Sequence, residues 1–143
     1  MRSLNACSYA VWLLAGLMAS WPLAAETVYV TLEKDNALAV VDGVSGTLQK
    51  TVTIGKRPRG IAASHDGTRL YIATSEDDTI VTVDRTSLKV MARLPSGEDP
   101  ETFALSSDER LMFVSNEDDN QVTVVDVPGG KSLRQIPVGV EPE

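Results

Sequence analysis

Two arginines flank a proline at Arg57-Pro58-Arg59. A guanidinium on each side of a rigid residue makes a fork suited to a carboxylate or a phosphate. Forty-two residues on, around Pro100, the matching stretch is acidic instead, with Glu98, Asp99 and Glu101. Arg57, Arg59, Glu98, Asp99 and Glu101 are therefore the candidate binding face, for a small anion or a partner of complementary charge. Acidic turns add to it: Glu33 and Asp35, Glu76 to Asp78, and Glu117 to Asp119. Glu117-Asp118-Asp119-Asn120 supplies oxygen ligands, but not at the alternate spacing of a calcium-binding loop, so no metal site is expected. His65 is the single histidine, which excludes histidine pairs and multi-histidine metal centres. Neither a Gly-x-Ser-x-Gly elbow nor a phosphate-cradling glycine loop occurs, and no catalytic residue is assigned.

These residues belong to a repeat. Tyr29, Tyr71 and Phe113 are 42 residues apart, as are Asp35, Asp77 and Asp119, and Pro58, Pro100 and Pro142. Val41-Asp42, Val83-Asp84 and Val125-Asp126 keep the same step. A period in the forties with several strand signals per unit marks a propeller-type array. Each unit holds four short segments rich in β-branched residues. They are Val28 to Leu32, Ala37 to Val41, Leu48 to Ile54 and Gly60 to Ser64; then Leu70 to Thr74, Ile80 to Val83, Val90 to Leu94 and Thr102 to Leu105; then Met112 to Val114, Val122 to Val125 and Leu133 to Val138. Consecutive apolar residues such as Val40-Val41 suit sheets covered on both faces. Almost no helix is expected. Asp66-Gly67 reads as a hairpin turn, as do Asp35-Asn36, Asp77-Asp78 and Asp119-Asn120. Asp42, Asp84 and Asp126 recur in every unit, which argues for a turn role rather than a catalytic one.

The chain has 143 residues and a net charge of −7. That balance disfavours nucleic acid and anionic membrane surfaces as partners. Residues 1–25 read as a secretory signal peptide, with Arg2 ahead of the apolar run Tyr9 to Met18 and small residues at Ala24-Ala25. The run is too short for a membrane span of about 20 residues. Cys7, the only cysteine, lies in that leader, so the remaining residues, 26–143, fold without disulfides. A periplasmic or secreted location follows.

Tyr29-Val30-Thr31, Val40-Val41-Asp42, the stretch from Ile54 to Ile61 and Ser64-His65-Asp66-Gly67 resemble the YVTN family of β-propeller repeats. Gly97 to Phe103 and Ser115 to Asn120 make the chain most similar to exported propellers associated with PQQ-dependent alcohol catabolism. His65 and Asp108-Glu109 depart from that family's usual proline and Asp-Gly. The resemblance implies an all-β propeller of four-stranded antiparallel blades, with the segment around Gly60 innermost. It implies rings commonly of seven blades. The chain carries fewer than three units, so it is expected to be part of a longer protein. The resemblance also implies a non-enzymatic binding or scaffold protein with no cofactor of its own, and a protein partner such as a periplasmic quinoprotein dehydrogenase or a cytochrome. The alternative is a propeller enzyme or enzyme subunit, lactonase-like or quinone- or haem-dependent.

Overall fold

The computed structural model describes residues 26–142. The expected leader, residues 1–25, and Glu143 lie outside the described residues. Eleven strands run in chain order: β1 Thr27–Leu32, β2 Ala37–Asp42, β3 Leu48–Thr53, β4 Pro58–Ala63, β5 Arg69–Thr74, β6 Thr79–Asp84, β7 Val90–Pro95, β8 Pro100–Leu105, β9 Leu111–Asn116, β10 Gln121–Asp126 and β11 Lys131–Pro137. They form three antiparallel meanders, β1-β2-β3, β4-β5-β6-β7 and β8-β9-β10-β11. The architecture is all-β, with propeller blades that span an arc and do not close a ring. One turn of 3₁₀-helix, Ser75–Asp77, is the single helical element among the described residues.

Each repeat supplies one sheet in a fixed register. Tyr71 lies opposite Thr82 on β6. Its counterparts Tyr29 and Phe113 lie opposite Val40 and Val124. The sheets stack, and the middle one is covered on both faces. From β5, Leu70 and Ile72 join Leu38, Ile54, Val81 and Val83 in one core. Tyr71 and Ala73, on the opposite face of the same strand, join Ile80, Leu94, Met112, Val114 and Val125 in another. Period-two alternation sends neighbouring side chains to opposite cores. This is why β5 and β6 read as continuous apolar runs.

The recurrent aspartates close turns. Asp42 Oδ1 accepts the Val44 and Ser45 N–H groups at 3.0 and 2.7 Å. Asp84 Oδ1 accepts the Ser87 N–H and hydroxyl, both at 2.7 Å. Asp126 Oδ1 accepts the Gly129 N–H at 3.1 Å. Donors from Ser45 and Ser87 hold the Asp42 and Asp84 carboxyls below their usual range. The turn role read from recurrence is correct.

β4 and β8 are the inner edges of their sheets and pack against one another, with β1 on the other side of β4. Both inner strands begin at a proline, two residues earlier than the apolar pattern indicates. A strand's first residue on a sheet edge tolerates the missing N–H. Both then bulge, between Pro58 and Ile61 and between Pro100 and Phe103.

Candidate functional site

The site lies where the blade-to-blade passages enter β4 and β8. The passages are fixed by a device that repeats. The N–H groups of Arg57, Asp99 and Glu141 donate to the side-chain oxygens of Asn36, Asp78 and Asn120, at 2.8, 3.1 and 3.0 Å. Asn36, Asp78 and Asn120 have φ of 56, 53 and 53°, the left-handed turn conformation that Asp and Asn tolerate. Arg57, Asp99 and Glu141 also have positive φ, of 48, 41 and 50°. Backbone strain at non-glycine residues costs about 1–3 kcal/mol each and persists only where the surroundings impose it. The side-chain pins from the preceding hairpin are that imposition.

Bulges aim the next residues. Arg59 and Glu101 occupy equivalent places in the two bulges, one repeat apart, and the structure brings them together. Arg59 Nε lies 2.5 Å from Glu101 Oε2. Arg57 Nε donates to Glu33 Oε1 at 3.0 Å, and its Nη1 lies 3.6 Å from Asp99 Oδ1. Positions equivalent by the repeat are neighbours in space, and at two of them one repeat carries arginine where the next carries an acid. Gly60 permits the approach: a Cβ there would sit 2.8 Å from the Glu101 carbonyl oxygen and 3.0 Å from Thr102 Cα.

The side chain of Glu101 is only 7% exposed. Its Oε1, like Asp99 Oδ1, is buried without a hydrogen-bond partner among the described residues. Glu117 follows β9 directly, and its N–H donates to the Asp99 carbonyl at 3.2 Å. Oxygens of Asp99, Glu101 and Glu117 all lie within 4.8 Å of one another. Burial, first, and the neighbouring Glu117 and Asp99 carboxyls push Glu101 up to about 7, against the pull of Arg59. Glu33 is held below the usual carboxylate range by the Arg57 guanidinium.

Thr31, Glu33, Pro58, Arg59, Glu101 and Thr102 border a cleft of about 500 Å³. A second hollow of about 250 Å³ lies beside it, bordered by Arg57, Asp78, Glu98, Asp99 and Asp118. Of the five residues proposed from the sequence, Arg59 and Glu101 border the first hollow and Arg57, Glu98 and Asp99 the second. Both arginines are already engaged by carboxylates of the chain, so an incoming anion meets paired guanidiniums. The carbonyl of Glu98 accepts a hydrogen bond from the buried Asn116 side chain at 2.9 Å, which anchors the acidic passage. His65 is remote, in the turn between β4 and β5, where its N–H donates to Glu109 Oε1. Sequence reasoning counted Glu33 and Glu117 among the acidic turns that add to the face, without assigning them partners, and passed over Thr31 and Thr102. The pairing of Glu33 with Arg57 across 24 residues gives no local signal.

Stacked antiparallel meanders with a polar cleft at their inner edges define a β-propeller. The chain belongs to the family described as Lactonase, 7-bladed beta-propeller, which matches residues 21–134. No curated protein matches the chain in sequence. Among solved structures, it resembles hydrazine synthase of Kuenenia stuttgartiensis, at 20% identity and a TM-score of 0.73, over 81% of this chain and 34% of that one. It resembles the periplasmic gluconolactonase of Pseudomonas aeruginosa at 25% identity and a TM-score of 0.66, over 80% of this chain and 38% of that one. A catalytically inactive virginiamycin B lyase of Staphylococcus aureus, with quinupristin, is 16% identical with a TM-score of 0.64, over 80% and 39%. The chain thus spans between about a third and two-fifths of these proteins' length.

The family match and the gluconolactonase likeness overturn the expectation of a non-enzymatic protein. That expectation rested on the repeat resemblance and on the absence of catalytic motifs from the sequence. The cleft forms where adjacent repeats differ, as at Arg59 and Glu101.

Proposed function

We propose that the chain forms part of an enzyme acting on a lactone, with the cleft between β1, β4 and β8 as its substrate site. The observation that carries this reading is the lactonase-family match over residues 21–134, with the Arg59–Glu101 pair set in the cleft. Hydrolysis adds water to the lactone carbonyl, breaks the ring C–O bond and yields a hydroxy acid. Negative charge gathers on the carbonyl oxygen and ends on the product carboxylate. A guanidinium held in place beforehand by Glu101 favours both charges. The Thr102 hydroxyl, and the oxygen of Thr31, whose own proton goes to the Arg59 carbonyl at 2.9 Å, suit a polyhydroxylated ring. Sugar lactones are accordingly the substrate class.

The test is acid release from glucono-δ-lactone at constant pH by the protein purified at its natural length. Release above the spontaneous rate is expected. Arg59→Ala should lower kcat by about 10²–10³-fold, the cost of removing one oxyanion donor. A rate equal to that of buffer contradicts the reading.

A periplasmic site of action is part of this proposal. It is supported by the leader pattern in residues 1–25 and by the periplasmic gluconolactonase likeness. Cell fractionation checks it, and a cytoplasmic protein would refute it. An association with PQQ-dependent alcohol oxidation, or with a dehydrogenase or cytochrome, is carried by the repeat resemblance alone.

A further inference from the structure

We propose that Asp99, Glu101 and Glu117 together bind a hard divalent cation, calcium in the first instance. Three observations converge. Their ligand oxygens lie within 4.8 Å of one another. Calcium–oxygen bonds of about 2.3–2.6 Å place opposite ligands about 4.6–5.2 Å apart, so three oxygens at this spacing can share one ion. Second, Glu101 is more than nine-tenths buried, and Arg59 satisfies only Oε2. Oε1 has no hydrogen-bond partner among the described residues, and Asp99 Oδ1 has only the Arg57 guanidinium, 3.6 Å away. A buried carboxylate oxygen without a partner is costly, and an ion answers that cost directly. Third, the backbone presets the group. Glu101 lies in the β8 bulge, the left-handed φ of 41° sets Asp99, and the Glu117 N–H bond to the Asp99 carbonyl at 3.2 Å ties the third ligand to the first.

Arg57 and Arg59 oppose the ion but do not cancel the group. Three carboxylates face Arg59 at 2.5 Å and Arg57 at 3.6 Å from one Asp99 oxygen. With few protein ligands and water completing the shell, calcium fits better than magnesium, which demands near-ideal octahedral geometry. The affinity expected is that of weak extracellular modules, a Kd of about 10⁻⁴–10⁻³ M.

Calorimetric titration of chelator-stripped, natural-length protein with calcium chloride tests the site. Heat with a Kd in that range is expected, with a rise in melting temperature on adding calcium. Glu117→Gln, at a half-buried position that leaves the strands intact, should weaken binding at least tenfold and abolish the thermal rise. Asp99→Asn should do the same. Absence of both heat and thermal shift at millimolar calcium, in protein folded by circular dichroism, overturns the proposal and leaves a shared proton as what occupies the group. Undiminished binding by Glu117→Gln overturns it too. The readout is independent of acid release, so this site and the lactone reading fail separately.

Discussion

Glu101 concentrates the tension in this protein. It sets a carboxyl in a buried place, takes one arginine as partner, and leaves its second oxygen without a hydrogen bond among the described residues. Its carboxyl holds a proton up to about pH 7 when folded, against 4.5 for an exposed glutamate. The folded state therefore binds more protons than the unfolded one between those values, and stability falls as pH rises through that window. The groups facing it are Arg59, Asp99 and Glu117. Asp66 acts with the opposite sign. The Ser64 hydroxyl, then the Thr68 N–H and hydroxyl, hold it down to about 2, so its contribution is lost as pH falls below 3.8. Melting temperatures measured from pH 4.5 to 8 should decline for the wild type and stay nearly level for Glu101→Gln. Parallel curves for the two, measured on chelator-stripped protein, would remove the buried carboxyl from the account.

Two close contacts between strands hold the site. Gly60 lets the β4 backbone pass against β8, and Gly60→Ala should push the inner strands apart. Overpacking of this kind costs typically about 1–3 kcal/mol, to be read by denaturant unfolding, and the Arg59–Glu101 distance should lengthen in a crystal structure. Asn116 is fully buried, donating to the Glu98 carbonyl and accepting the Thr123 hydroxyl at 2.7 Å. Asn116→Ala leaves both groups without a partner, at about 1–3 kcal/mol each, and loosens the passage that carries Asp99. An unchanged unfolding midpoint in either variant would contradict these roles. The strands were legible in the sequence because a period of 42 residues writes three of the four strand types three times and the fourth twice. The Asp turns were legible because their hydrogen bonds are local. The bulges were not: a bulge is a mismatch between partners, and Pro-Arg-Gly-Ile carries no mark of which β5 residue it will face. The starts of β4 and β8 were missed for a related reason, since proline reads as an interruption until the strand is known to be an edge.

The stack of blades explains why equivalent residues meet. A repeat that advances by one blade brings position 59 of one unit beside position 101 of the next, so divergence between repeats becomes an ion pair in space. The charge contrast between the two passages was visible in sequence; that the opposite charges pair with one another was not, because it depends on the inter-blade distance. The same stacking places Ile80, fully buried, in the core between the second and third sheets. Ile80→Ala should cost about 2–5 kcal/mol and reduce lactone turnover only through the fraction unfolded. The central claim is that two neighbouring repeats jointly make one site for a lactone. A double-mutant cycle on kcat/KM for sugar-lactone hydrolysis, with Arg59→Ala, Glu101→Gln and the pair, tests it most directly. Residues acting as a unit give a double variant scarcely worse than the poorer single one. Losses that simply multiply, or wild-type rates in all three variants, would contradict it.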